Sequence, residues 1–224
     1  MPLTASLFQC EDPTKWRKVS DLYWDVVEAM AVKKKRLLEL DRWFQEDLPN
    51  CICARTEKCL TKGELAKLME WKLLRGKFRP RLQKMVESNP EDIVERHTKK
   101  AFEFLPDVGK AVDELCHLKG VGPATASAIL CAGAPDLVAF MADEAVESVP
   151  GLTPVQYNLK HYQRFLQELQ KKADSLSAGG QDSWTPHRVE LCLWAWKVAH
   201  TACPKMLETL EDEDERPTKK LKTK

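Results

Sequence analysis

The chain has 224 residues, 31% of them charged, and a formal net charge of +1. That length suits one core with a tail rather than two full domains, and the near-neutral balance argues against attachment to nucleic acid by bulk charge alone. Nine glycines are few for a mostly-β protein of this size, and no stretch approaches the ~18 uncharged apolar residues of a membrane span, so an all-α fold with no membrane partner is expected.

The N-terminus lacks a charged segment followed by an apolar core, so no signal peptide is expected. Eight cysteines without such a signal predict free thiols in a reducing compartment. Residues 18 to 47 read as one long or broken helix with Leu22, Val26, Ala29, Met30, Leu37, Leu40 and Phe44 on its apolar face and Lys33 to Arg36 in solvent, stopped by Pro49. Cys51, Cys53 and Cys59 cluster just beyond. No Cys-x-x-Cys pair or nearby histidine completes a zinc set there, so they read as loop and packing thiols and no metal is expected.

Thr61-Lys-Gly-Glu64 has the form of a capping box opening a helix through Leu65, Leu68, Met69 and Leu73. Arg75-Gly-Lys-Phe-Arg-Pro80 breaks that helix, and another runs through Leu82, Met85 and Val86 to Asn89-Pro90. Across this break Lys72, Arg75, Lys77, Arg79, Arg81 and Lys84 occur with no acid between Trp71 and Lys84. Cations around a bend converge on a phosphate backbone more readily than cations spread around one helix, and Phe78 in the loop is placed to stack on a base. The competing reading is a solvated charged face with Trp71 and Phe78 in the core.

A helix from about Glu91 to Leu105 precedes the most informative segment, residues 108 to 132. Val112, Leu115 and Leu118 recur three apart; Ala126, Ile129 and Leu130 form a second apolar stripe, and Val121 plugs the turn between them. Gly120 and Gly122 are expected to take positive φ and to let an anion approach the main chain, with Pro123 in the first turn of the next helix. The expected phosphate contacts are Lys119, Gly120, Val121, Gly122, Ala124 and Thr125. An ordinary helical turn with one stop glycine is the alternative.

The run Leu118-Lys-Gly-Val-Gly-Pro-Ala-Thr-Ala126 resembles the helix-hairpin-helix motif of the DNA glycosylase superfamily. The resemblance covers about residues 105 to 150 and implies a helical glycosylase-type domain with DNA as the partner, RNA staying open. It also implies a catalytic aspartate at the start of the helix after the hairpin, where its carboxylate would stabilise a cationic sugar. Asp143 stands at that distance, with Glu144 beside it. Asp143 equally suits a plain helix N-cap. The Val-Asp-x-His-like context of the family is missing, and Ala124 occupies the place of the lysine that strand-cleaving members use. The four closely spaced cysteines of the members that carry an iron–sulfur cluster are also missing, so no cofactor is expected.

A short helix from Glu144, an amphipathic helix over 158–176, and a helix capped by Thr185 and Pro186 follow; the last is apolar on most sides and should be central. The domain is expected to span residues 1–203 and a disordered acidic and basic tail 204–224. Lys219, Lys220 and Lys222, after Pro217, resemble a nuclear import signal, against the reading of a solubilising tail. Three functions stay open: a noncatalytic nuclear nucleic-acid binder, a monofunctional base-excision enzyme using Asp143, and a nuclear protein-interaction module.

Overall fold

The computed structural model describes residues 6–178 and 182–207. Among the described residues it is all-helical, with twelve α-helices and no strand, and no helix is long and apolar enough to cross a membrane. Lys219, Lys220 and Lys222, read as an import signal, lie outside the described residues. The packed chain extends past the expected boundary at 203, since Leu207 is buried and its N–H bonds the Pro204 carbonyl.

The first expected helix is several pieces: α1 (Pro13–Asp21), α2 (Tyr23–Ala31), α3 (Leu37–Arg42), a π-helical turn Trp43–Asp47, and α4 (Leu48–Ala54). It begins earlier than residue 18 because Asp12 caps it, accepting the Thr14 N–H at 2.9 Å, with Pro13 at the first position. Arg36 at φ 73° separates α2 from α3. Pro49 is not the stop: the π turn, in which Leu48 N–H reaches the Trp43 carbonyl, resets the register, and Pro49 occupies the first turn of α4.

The local signals downstream hold. Thr61 Oγ1 accepts the Glu64 N–H while Glu64 Oε2 accepts the Thr61 N–H, opening α5 (Lys62–Arg75). After α6 (Pro80–Glu87) and α7 (Glu91–Glu103), Asp107 caps α8 (Val108–Leu115). Then come α9 (Pro123–Gly133), α10 (Asp143–Ser148), α11 (Leu159–Ala178) and α12 (Pro186–Ala202), the last capped by Thr185 Oγ1 on Arg188 N–H.

Two helices form the centre. α12 packs against α1, α2, α10 and α11, with Val189, Leu193, Trp194 and Ala195 buried. α9 is buried from Ala124 to Gly133, which its small residues permit by letting neighbouring backbones come close. Gly133 shows the tightness: a Cβ there would lie 2.4 Å from Phe102 Cε1. The core also holds charge. Arg75 Nη1 and Nη2 donate to Glu190 at 2.8 and 3.3 Å, and Asp41 accepts from Tyr23 Oη and Trp71 Nε1 at 2.6 Å each. The guanidinium also lies 4.3 Å from the Trp194 ring centre, so α2, α3, α5 and α12 meet around one cation.

Candidate nucleic-acid interface

The turn after α8 is closed by Leu118 N–H to the Leu115 carbonyl and by Val121 N–H to the Leu118 carbonyl. Gly120 takes φ 79°, and a Cβ there would lie 2.9 Å from Met85 Cβ and 3.2 Å from the Leu82 carbonyl oxygen. Both its conformation and its contact with α6 therefore require glycine. Gly122 corrects the expectation of a second positive φ. It is extended, at φ −118° and ψ −176°, and a Cβ on it would meet nothing within 4 Å. Its carbonyl accepts the Thr125 and Ala126 N–H groups at 2.9 Å, so it opens α9, and Pro123 fills the first helical position. The space beside Gly122 is open to a ligand rather than filled by protein.

This turn forms one wall of a pocket of about 180 Å³. Lys72 and Arg79 line a second wall, Asp143 and Tyr157 a third, and the apolar side chains of Phe140 and Trp194 complete it. The resemblance named the turn and Asp143 separately; the fold places them in one cavity. Val121, Ala124 and Thr125 have buried side chains, and the main-chain N–H groups of Val121 and Thr125 are already bonded to the Leu118 and Gly122 carbonyls, so of the three only the Ala124 N–H is left to meet an anion, while Lys119 is exposed.

Asp143 is not an N-cap. Ala142 holds that position with no side-chain bond, and the Asp143 carboxylate turns to Tyr157 Oη, which donates at 2.7 and 2.9 Å, and to Lys77 Nζ at 2.7 Å. Arg79 Nη2 donates to the same Tyr157 oxygen at 3.1 Å, and its guanidinium stacks over the Tyr157 ring. Arg79, Tyr157 and Asp143 thus form a hydrogen-bonded chain along the pocket rim.

The six cations separate into different roles. Arg75 must be withdrawn as a phosphate contact: it is 2% exposed and its guanidinium is taken by Glu190. Burial in turn pushes the Glu190 carboxyl up to about 7, against the pull of Arg75. Lys77 and Arg79 are exposed on the pocket side, and Arg81 and Lys84 are exposed on α6 outside it. Lys72 is half-buried in the wall, and among the described residues no hydrogen-bond or ion-pair partner holds its ammonium. Desolvation, reinforced by the positive charge of Arg79 and opposed by Asp143, lowers it to about 8. Phe78 is 75% exposed at the tip of the loop, outside the core, whereas Trp71 is fully buried against Phe44.

Three residues that position this site carried no sequence signal for that role. Asn89 is buried and bonds the turn at Lys119 in both directions. Lys34, expected in solvent with its neighbours, is instead half-buried, reaches the Leu74 carbonyl at 2.6 Å and so holds the C-terminal end of α5, which presents Lys72. Tyr157 belongs to a loop without periodicity, and its link to Asp143 is a tertiary contact. Cys51 and Cys53 are exposed on α4 and do not converge with Cys59 on a shared ligand position. No family model, curated protein or solved structure matches this chain.

Proposed function

We propose that this chain binds nucleic acid, DNA foremost, by seating a backbone phosphate on the 119–125 turn, and that it acts in the nucleus. The observation that carries the reading is the open space beside Gly122 in the same pocket as the Lys72 ammonium, which has no hydrogen-bond or ion-pair partner among the described residues. The first turn of α9 adds the Ala124 N–H, since Pro123 has none and the Thr125 and Ala126 N–H groups are bonded to the Gly122 carbonyl, and Lys77, Arg79 and Lys119 supply exposed charge around it. Fluorescence anisotropy with single-stranded and duplex DNA and RNA tests it. Binding that weakens with salt, and weakens further in Gly122→Arg and Lys72→Gln, is expected; affinity unchanged by both substitutions removes the turn from the interface.

A second reading rests on the position of Asp143. A carboxylate beside a phosphate-binding turn and an aromatic wall suits base excision from an extruded nucleotide, with Asp143 stabilising the cationic sugar as the glycosidic bond breaks. Tyr157 then orients the carboxylate, and Lys77 is the cation that a bound phosphate draws away from it. Ala124 leaves no lysine at the family's strand-cleaving position, so this activity would stop at the abasic site. Release of free base from a panel of damaged duplexes tests it: wild-type release lost in Asp143→Asn with binding retained is expected. Equal release by both proteins would take Asp143 out of the chemistry.

A further inference from the structure

A second constellation lies where α7 meets the end of α8, independent of the pocket. Glu114 and His117 are three apart in sequence, and His97 faces them from α7. His97 Nδ1 lies 2.8 Å from Glu114 Oε1, and Lys100 Nζ pairs with Glu114 Oε2 at 2.8 Å. The His97 and His117 rings lie parallel within 10°, their centres 5.5 Å apart. One donor atom from each of the three residues lies within 4.8 Å of the others, and among the described residues this is the one such group.

We propose that His97, Glu114 and His117 bind a divalent transition-metal ion of the zinc type. Two imidazoles and a carboxylate are a nitrogen and oxygen set that suits zinc, with the fourth position left to water. His117 Nδ1 lies 3.1 Å from the Glu114 main-chain carbonyl. Donation to that carbonyl fixes the tautomer, leaving the Nε2 lone pair for the ion, as an outer-shell acceptor does for metal-bound histidines. The carboxylate is buried while His117 is exposed, so the ion would have an anionic floor and an entry path. Ligand bonds of about 2.0–2.2 Å require the 2.8 Å His97–Glu114 contact to open and the more distant donors to move inward, and they displace Lys100. That ammonium is on a half-exposed side chain and can turn to water, so the incoming ion replaces a charge already neutralising Glu114. Arg96, whose Nη2 lies 3.5 Å from His97 Nε2, is the other cation that must turn aside. An occupied site staples α7 to the end of α8 and so stiffens the entry to the 119–122 turn.

The test is calorimetric titration of zinc chloride into the metal-free full-length chain, with thermal melts in parallel. Because thiols also take zinc, a Cys51→Ser, Cys53→Ser, Cys59→Ser variant is titrated beside it. One ion per chain is expected, retained in the cysteine variant, raising the melting temperature and weakened at least about tenfold in His117→Ala. His97→Ala and Glu114→Ala should do the same; should either fail to fold, the exposed His117 decides the matter. No binding, binding lost with the cysteines, or equal affinity in His117→Ala overturns the proposal. With cobalt in place of zinc, a thiolate charge-transfer band would likewise overturn it.

Discussion

Asn89 holds the Lys119 peptide from both sides: its Nδ2 donates to the Lys119 carbonyl at 3.0 Å and its Oδ1 accepts the Lys119 N–H at 2.9 Å. The same Nδ2 also caps α6 at the Val86 carbonyl, 2.8 Å away. A single amide therefore ties the glycine turn to the helix that Gly120 packs against. Asn89→Ala takes both side-chain partners from the part-buried Lys119 peptide, while the Val86 carbonyl keeps the Asn89 N–H, and the loss is expected to cost about 1–3 kcal/mol. Urea melts should show that loss. If the turn binds DNA, affinity should fall as well, because the groups that meet phosphate lose their fixed orientation.

Arg75 and Glu190 give a prediction of opposite kind. Arg75→Met leaves Glu190 buried without its cation, and breaking a buried pair in this way costs about 3–5 kcal/mol. The double substitution Arg75→Met, Glu190→Leu should regain only part of it, since the Glu190 charge is then gone but Asp41, 3.9 Å from the lost guanidinium, stays buried with only Tyr23 and Trp71 as donors. Equilibrium denaturation of the two singles and the double measures the coupling. If the chain binds DNA as proposed, the slope of log affinity against log salt should match the wild type for any variant that remains folded, because Glu190 holds the Arg75 guanidinium inside the core. A slope lowered by about one contact in Arg75→Met alone would return it to the interface.

How far the fold could be read from the chain depends on the reach of each signal. Thr61 with Glu64, and Thr185 with Pro186, are caps made by residues three apart or adjacent, and the helices begin where those residues stand. Pro49 misled because a proline stops a helix only if its missing N–H is needed, and the π turn ahead of it changes that need. Arg75 looked like its neighbours Lys77 and Arg79 because its partner lies 115 residues away. Asp143 looked like a cap because its true donors, Lys77 and Tyr157, come from a different helix connection and a patternless loop. The Glu114–His117 pair is a spacing visible in the sequence, but His97 joins it only through the packing of α7 on α8.

Lys72 makes the site sensitive to alkali. Its amine sits near 8 in the folded chain against 10.5 for an ordinary lysine, chiefly through desolvation. Between those values the unfolded chain holds more protons than the folded one, so this residue's contribution to stability rises as pH climbs from about 8 to 10.5. Anion binding runs the other way, since the charged form that attracts phosphate is lost over the lower part of that range. On the proposed reading DNA affinity should therefore fall as pH passes about 8 while the fold gains, and Lys72→Met should flatten both trends. Anisotropy and denaturation across that range separate the two.

Gly120 and Gly122 should respond differently to the same small change. An added methyl group at Gly120 meets Met85 at 2.9 Å and must be carried at φ 79°, a conformation that costs an L residue about 1–2 kcal/mol before any clash is counted. Gly120→Ala is thus expected to lower the melting temperature clearly. Gly122 has φ −118° and open space around its missing Cβ, so Gly122→Ala should leave the melting temperature close to wild type. If that open space admits a phosphate, the methyl group occupies part of it, and DNA affinity should fall while stability does not. Melting curves and anisotropy on both variants check this pair. Loss of stability in Gly122→Ala would show that the glycine serves the fold, and unchanged affinity in a well-folded Gly122→Ala would move the anion away from this face of the turn.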